Sequence, residues 1–339
     1  MPVVTADELR KILVSIYESR GVPADEAAAV ADHQVDANLI GHDSHGAIRT
    51  VDYVRRLEKG DIVPGAPFVV EQETATTAVI NGNWGFGFVQ TARAMRLAID
   101  KARTSGVAAV TIRYQSHMGR LGAYAEMAAA QGMIALVTAD SGRGPKSVVP
   151  YGGAKPRLGT NPICFAVPTG GVPLVLDIAT SAVAGGKVML ARNEGSELEP
   201  GLLADADGRP TTDPNAYFAG GALMPLGASQ AHKGYGLSVI VEVLCGLLTG
   251  LGYGVAADAR HNDGNFIAVF DVARFRDPQE FRSDIDAFVA YLKETPPAPG
   301  HTEVLVPGEI EAKTGAVRRA EGITIDETTW QQLMTLGGG

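Results

Sequence analysis

From residue 76 onwards, short β-rich runs alternate with helical stretches, and that alternation restricts the chain to an α/β architecture. Residues 77–81, 108–114, 133–138, 163–167, 172–177 and 266–270 read as strands, and residues 89–105 and 121–131 as helices. The first sixty residues have a different texture, that of three helices. Thr5 and Glu8 form a capping-box pair ahead of Leu9, Ile12, Leu13 and Ile16, and Gly21 stops that helix. Pro23 opens a second, alanine-rich helix to about residue 40. A third is expected from about Ser44 to Gly60, with Ile48, Val51, Val54 and Leu57 turned inward. Pro64, Gly65 and Pro67 then mark a boundary. Residues 193–226, rich in Gly, Asp and Pro, read as a long ordered loop. Asp277-Pro278 opens a helix through Phe281, Ile285, Phe288 and Leu292 that ends at Pro296-Pro297.

Composition removes several classes of function. The 339 residues carry 29 lysines and arginines against 38 acidic residues, a net charge of −9, and no basic run offsets it. A polyanion such as DNA is therefore repelled, and no nucleic-acid partner is expected. Cys164 and Cys245 lack a CxxC spacing, which excludes a disulfide framework or zinc ribbon and suits a reducing compartment. The first residues lack the basic and apolar regions of a signal peptide, so a cytoplasmic location is expected. Residues 237–257 are apolar but contain Glu242 and four glycines, with no aromatic belt. They read as a buried helix entering a glycine turn, not a membrane span.

Four constellations carry candidate chemistry. In Gly41-His42-Asp43-Ser44-His45-Gly46-Ala47-Ile48-Arg49, the expected helix puts His45 and Arg49 on one face. An imidazole exchanges protons near neutrality, and an arginine fork matches a carboxylate, which suits redox chemistry beside a carboxylate. Ser44 is placed to orient the imidazole. The plainer reading is a solvated polar stripe of His45, Arg49, Asp52 and Arg56; a metal site at His42 and His45 lacks a nearby third ligand. In Ser116-His117-Met118-Gly119-Arg120-Leu121-Gly122, a glycine-bearing loop enters a helix, the usual setting for a pyrophosphate, with Arg120 available to a phosphate. Leu176-Asp177-Ile178-Ala179-Thr180-Ser181 ends a strand with groups that suit a ribose, an amide or a helix cap. His232-Lys233-Gly234-Tyr235-Gly236 opens the apolar helix and offers a lysine to an anion. Glu242, if buried, needs a partner or a proton. The conventional dinucleotide fingerprint is absent: its best match, Gly85-Phe86-Gly87, has Gln90 in place of the third glycine.

Taken in order, these motifs and Gly159-Thr160-Asn161-Pro162 resemble the type-2 malate/L-lactate dehydrogenase family. That family also holds sulfolactate and ureidoglycolate dehydrogenases and the reductases of piperideine- and pyrroline-2-carboxylate. The resemblance implies a non-Rossmann NAD(P)-binding α/β fold, a mixed sheet with helices and an N-terminal helical segment. It implies that residues 1–72 pack with residues 272–339, that residues 73–271 bind NAD or NADP, and that the protein is a homodimer. The implied reaction interconverts a small 2-oxo acid and a 2-hydroxy acid; reduction of a cyclic imine acid is the alternative. A metal-dependent hydrolase using His42, His45 and His117, or a cofactor binder without catalysis, stands further off.

By the same resemblance, Ser44, His45 and His117 serve proton transfer, and Arg49 and Thr160 bind substrate. His117, Met118, Gly119, Arg120, Leu121, Asp177, Ile178, Ala179, Lys233, Gly308 and Glu309 would hold the cofactor, with Arg120 a candidate contact for a 2′-phosphate. No metal is implied. Two departures stand out. The imine reductases carry an aspartate where this chain has Lys187, and a family tryptophan is replaced by Leu202 beside Asp205-Ala206-Asp207-Gly208.

Overall fold

The computed structural model describes residues 1–140, 142–256, 260 and 263–338. Strand β1 (Val3–Val4) leads into α1 (Ala6–Glu18), whose capping box forms as expected: Glu8 N–H donates to Thr5 Oγ1 and Thr5 N–H to the Glu8 carboxylate. Helix α2 (Ala24–Leu39) follows Pro23. The third helix is shorter than its sequence suggests. Residues 43–49 form two single turns of 3₁₀ helix, Asp43–His45 and Ala47–Arg49, and α3 starts only at Thr50 (Thr50–Glu58). The cause is Asn38. Its Oδ1 takes the Ala47 N–H at 2.8 Å, and a Cβ at Gly46 would lie 2.2 Å from that same oxygen. His45 and Arg49 therefore do not share one helical face, and Ile48 points outward at 50% exposure.

Strands β2 (Val69–Glu73) and β3 (Thr77–Gly85) are followed by α4 (Gly87–Ser105), β4 (Val107–Gln115), α5 (Gly122–Ala129), β5 (Met133–Ala139), β6 (Ile163–Val167) and β7 (Leu174–Ile178). Next come α6 (Gly185–Glu194), β8 (Leu203–Ala204), β9 (Pro210–Thr211), α7 (Pro214–Phe218), β10 (Ala222–Leu223) and α8 (His232–Glu242). The expected long loop thus contains a small antiparallel sheet, β10-β8-β9, and a helix capped by Asp213 with Pro214 at its start. The chain closes with β11 (Asn265–Asp271), α9 (Pro278–Lys293), α10 (Glu309–Glu321), β12 (Ile323–Thr324) and α11 (Glu327–Gly337).

The main sheet has seven strands in the order β2-β3-β4-β11-β5-β6-β7. Only β3 and β4 run parallel; every other neighbouring pair is antiparallel. This mixed sheet is not the parallel doubly wound fold, in keeping with the missing glycine fingerprint. Met95, Ala98 and Ile99 of α4 and Tyr124, Ala125 and Ala128 of α5 bury against Val110, Val137, Ile267 and Val269. The alanines let both helices approach the sheet closely.

A second core joins the chain's two ends. Strand β1 pairs with β12, and Ile323, Ile325 and Leu333 bury with Leu9, Leu13, Ile16 and Tyr53. Phe86, Phe88 and Val89, at the entry to α4, belong to this same cluster, so it reaches past the expected boundary at residue 73. Helix α9 forms where expected but buries no residue, and Phe288 is 51% exposed. The apolar α8 is also only half as expected. Ser238, Val241 and Glu242 are buried, and Cys245 and Gly246 in the π-helical turn after it, but Leu237, Ile240, Val243, Leu247 and Leu248 face outward. The end of that apolar stretch, at Ala257, lies outside the described residues. Among those described, no helix is long and apolar enough to cross a membrane.

Leu333, fully buried in the shared core, tests the union of the two ends. Leu333→Ala is expected to lower unfolding free energy by ~2–5 kcal/mol in a denaturant titration. A loss below ~1 kcal/mol would mean that α11 is not part of the cooperative unit.

Candidate active site

The site forms where the N-terminal core meets the loop between β4 and α5. Ser44 Oγ lies 3.1 Å from His45 Nδ1, within hydrogen-bond distance of the imidazole. The His45 ring stacks on that of His117 with centroids 5.9 Å apart and planes 19° from parallel. Across the seam, Tyr53 Oη of α3 lies 2.7 Å from His117 Nδ1. The Arg49 guanidinium carbon is 5.8 Å from the Tyr53 ring centre, which brings the cation into the same group. The motifs at 44–49 and 117 are therefore one site, assembled by tertiary packing and not by a shared helix.

Arg49 is held from behind by Asp52 at 3.1 Å, and Asp52 also binds Arg55 and Arg56. The expected polar stripe is thus an ion-pair cluster that fixes Arg49 without consuming it. Its Nε is buried and has no hydrogen-bond partner within the protein.

The loop from Ser116 is fixed by its main chain. Gly119 N–H donates to His117 Nδ1 at 3.3 Å. Met118 N–H donates to Asp263 Oδ2 at 3.2 Å, and Arg120 N–H to His33 Nε2 at 3.1 Å. Gly119 adopts φ +77°, and a Cβ there would sit 2.3 Å from His33 Nε2. The Met118 and Leu121 side chains are core residues, so only their main chain is available to a ligand. Tyr53, His33 and Asp263 were not singled out by the sequence. Tyr53 stands one turn beyond Arg49 and was within reach of spacing arguments, whereas the other two act on a loop far along the chain.

Arg120 is buried, with Asp36 at 2.6 Å and Glu126 at 2.9 Å, so its charge is matched by two carboxylates of the protein. It forms one wall of a cleft of about 550 Å³, also lined by Asp36, His42, Asp177, Gly308 and Glu311. This volume is in the usual range for a small-molecule or cofactor site. Asp177 Oδ2 accepts from Gly122 N–H at 2.7 Å at the head of α5. His42 pairs with Glu311 at 3.3 Å, and among the described residues no cluster of His, Cys, Asp or Glu is arranged to hold a metal. Gly308, at φ +88°, packs against the Val175 main chain, and the Glu309 carboxylate accepts Val306 N–H and pairs with Lys293.

The remaining expected residues are more dispersed. Thr160 lies in a turn held by Thr180, whose N–H and Oγ1 both donate to the Thr160 carbonyl. Ile178 ends β7 opposite Ile163, and Ala179 follows it into the turn. Lys233 is exposed on the first turn of α8. Glu242, which needed a partner, receives Lys146 at 3.3 Å and Asn161 Nδ2 at 2.9 Å.

Enclosure lowers the His45 pKa to about 4, assisted by His42, Arg49 and Arg120, while Asp263 acts in the opposite direction. Burial holds His33 well below its ordinary value, which keeps Nε2 an acceptor for Arg120 N–H. Burial pushes the Tyr53 phenol up to about 12, so it remains a hydroxyl at neutral pH. The Asp177 carboxyl is raised by burial as well.

A family model described as malate/L-lactate dehydrogenase matches residues 4–334, and the chain belongs to that family. It is an oxidoreductase of the hydroxy-acid dehydrogenase class. L-sulfolactate dehydrogenase from Methanothermobacter thermautotrophicus is 38% identical over 98% of this chain and 95% of its own length. The crystal structure of malate dehydrogenase from Entamoeba histolytica superposes with a TM-score of 0.93 at 29% identity, covering 99% of this chain and 97% of the other. Delta1-piperideine-2-carboxylate reductase from Pseudomonas syringae superposes at 0.86 with 32% identity, covering 99% and 100%.

The family uses a nicotinamide cofactor, and the loop at Gly119 closes tightly on His33 and Phe88 next to a cleft of suitable size. Gly119→Ala tests whether that loop serves the cofactor. The added methyl is expected to displace His33 and weaken reduced-cofactor binding by about tenfold or more, read from nicotinamide fluorescence, since a factor of ten is only about 1.4 kcal/mol. Wild-type affinity in a folded variant would remove the loop from the cofactor site.

Proposed function

We propose that this protein interconverts a small 2-oxo acid and the corresponding 2-hydroxy acid with NAD or NADP. One observation carries the reading: two imidazoles and an arginine with an unpartnered buried Nε share one seam. The nicotinamide, when bound, supplies or accepts the hydride. Arg49 receives the substrate carboxylate, with Asp52 behind it keeping the fork in position. Ser44 engages Nδ1 of His45 and leaves Nε2 to exchange the proton at the substrate oxygen. His117, held by Tyr53, is the second proton carrier. Because enclosure keeps His45 neutral in the free protein, the arriving carboxylate is the charge that helps it take up a proton.

The main chain of residues 117–121, together with Asp177, Ile178, Ala179, Lys233, Gly308 and Glu309, forms the proposed cofactor surface, and Thr160 borders the substrate. With Arg120 already matched by two carboxylates, a 2′-phosphate would need another cation. Residues 73–271 serve as the cofactor-binding part, with the two chain ends covering the substrate side. The outward row of Leu237, Ile240, Val243, Leu247 and Leu248 supports a homodimer, because a lone chain would leave these side chains in water. Two buried free thiols suit a cytoplasmic setting.

The alternative, reduction of a cyclic imine acid, is favoured by the reductase among the structural neighbours. It is weakened by residue 187. The start of α6 packs on Ser44, where a Cβ added at Gly186 would lie 3.5 Å from the Ser44 Cβ, and the next side chain is a lysine where the imine reductases carry a carboxylate.

A panel of 2-oxo acids and cyclic imines with NADH and NADPH, followed at the nicotinamide absorbance, is expected to show turnover of 2-oxo acids. Turnover confined to imines would select the alternative. His45→Ala should reduce kcat by roughly 10²-fold or more, the scale of a lost general acid; unchanged turnover would remove His45 from the reaction. Arg49→Lys should raise KM for the oxo acid more than it lowers kcat, because an ammonium cannot reproduce the two-point fork. An unchanged KM would place the carboxylate elsewhere.

A further inference from the structure

The arginines Arg49 and Arg120 act on His45, and Lys187 follows Gly186 on the helix that packs on Ser44. Among the described residues, the carboxylates Asp52, Asp36, Glu126 and Glu311 are committed elsewhere: Asp52 is spread over Arg49, Arg55 and Arg56, while Asp36 and Glu126 hold Arg120 and Glu311 holds His42. A cluster built to pass a proton to a substrate oxygen needs a negative charge to help an imidazole gain that proton.

Strand β11 brings one. Its approach places Asp263, only 5% exposed, against the end of β4. Asp263 N–H donates to the Gln115 carbonyl at 3.1 Å, and its Oδ2 accepts Met118 N–H at 3.2 Å. These two bonds bracket Ser116 and His117. Ser116 is pinned in turn by Gly85 and Gly87, since its N–H donates to the Gly85 carbonyl and its Oγ accepts Gly87 N–H. The imidazole that faces Tyr53 and His45 is therefore mounted on main chain that Asp263 grips on both sides.

We propose that Asp263 is the carboxylate that serves the His45–His117 pair, a positioning residue that fixes His117 and supplies the negative charge absent at Lys187. This rests on the dehydrogenase reading given above. The influence of Asp263 on its neighbours is consistent: it favours protonation of His45 and the charge on Arg49, and it opposes ionisation of Tyr53.

Asp263→Asn tests this, because the amide oxygen still accepts Met118 N–H while the charge is removed. Removing a negative charge lowers an imidazolium pKa. The limb of the pH profile for 2-oxo acid reduction should move to lower pH by about one unit, with kcat/KM at pH 7 falling about tenfold. Cofactor affinity, read from nicotinamide fluorescence, should change less than about threefold, since the main-chain grip survives. The same downward shift is expected for a histidine resonance titrated by NMR, a readout that needs no turnover. Asp263→Ser provides the same neutral charge should the amide disrupt folding. A folded neutral variant with the wild-type pH limb and unmoved histidine titrations would overturn the inference. Wild-type protein inactive on every oxo acid and imine would instead defeat the functional reading, leaving the NMR result to judge Asp263 alone.

Discussion

Tyr53 Oη and His117 Nδ1 meet at 2.7 Å across the seam between the molecule's two cores, and the functional geometry depends on that contact holding. One partner belongs to the helical layer tied to the chain's C-terminal end; the other stands on a loop of the mixed sheet. A hydrogen bond contributes only about 0.5–1.5 kcal/mol net, but leaving a buried phenol unpaired costs more. His33 makes the same crossing to Arg120 N–H, and the shared cluster with Phe86 and Phe88 supplies the apolar burial that sets the two layers in register. The seam is thus hydrophobic in its driving force and polar in its alignment.

Charge in this region is arranged by commitment. Arg120 is buried only because Asp36 and Glu126 match it, and Asp52 distributes its charge over three arginines. Arg49 Nε and Arg56 Nη1 are left without a hydrogen-bond partner within the protein. Around Arg49, Tyr53 keeps its proton and His33 and His45 lack one, while the buried Asp263 favours the charge on Arg49. An incoming carboxylate therefore meets a cation that is only partly satisfied, beside imidazoles whose proton affinity its own charge increases. Binding and proton transfer are coupled through the same electrostatics.

The parts of this arrangement written locally in the chain were legible. The capping box of Thr5 and Glu8, Pro23 before α2, and the runs that became β4, β5, β6 and β11 all follow from residue type and period. The histidines, Arg49 and the glycine loop were legible because their chemistry is unusual for a plain surface. What failed was non-local. Asn38 ends the would-be third helix from a different element, and β8, β9 and β10 are two residues each, too short for any periodicity. The outward row on α8 reads as core because composition does not say which apolar face has no neighbour in the chain. His33 and Asp263 reach the loop from 87 and 145 residues away, a separation at which no spacing rule operates.

The central claim is that Arg49, His45 and His117 address one substrate. The most direct measurement is a crystal structure with reduced cofactor and oxamate, an unreactive analogue of a 2-oxo acid. The account predicts both oxamate carboxylate oxygens on the Arg49 guanidinium and its carbonyl oxygen within about 3 Å of an imidazole nitrogen of His45 or His117. Oxamate bound away from Arg49, or a cofactor whose pyridine ring lies on the far side of the sheet from the two imidazoles, would contradict it.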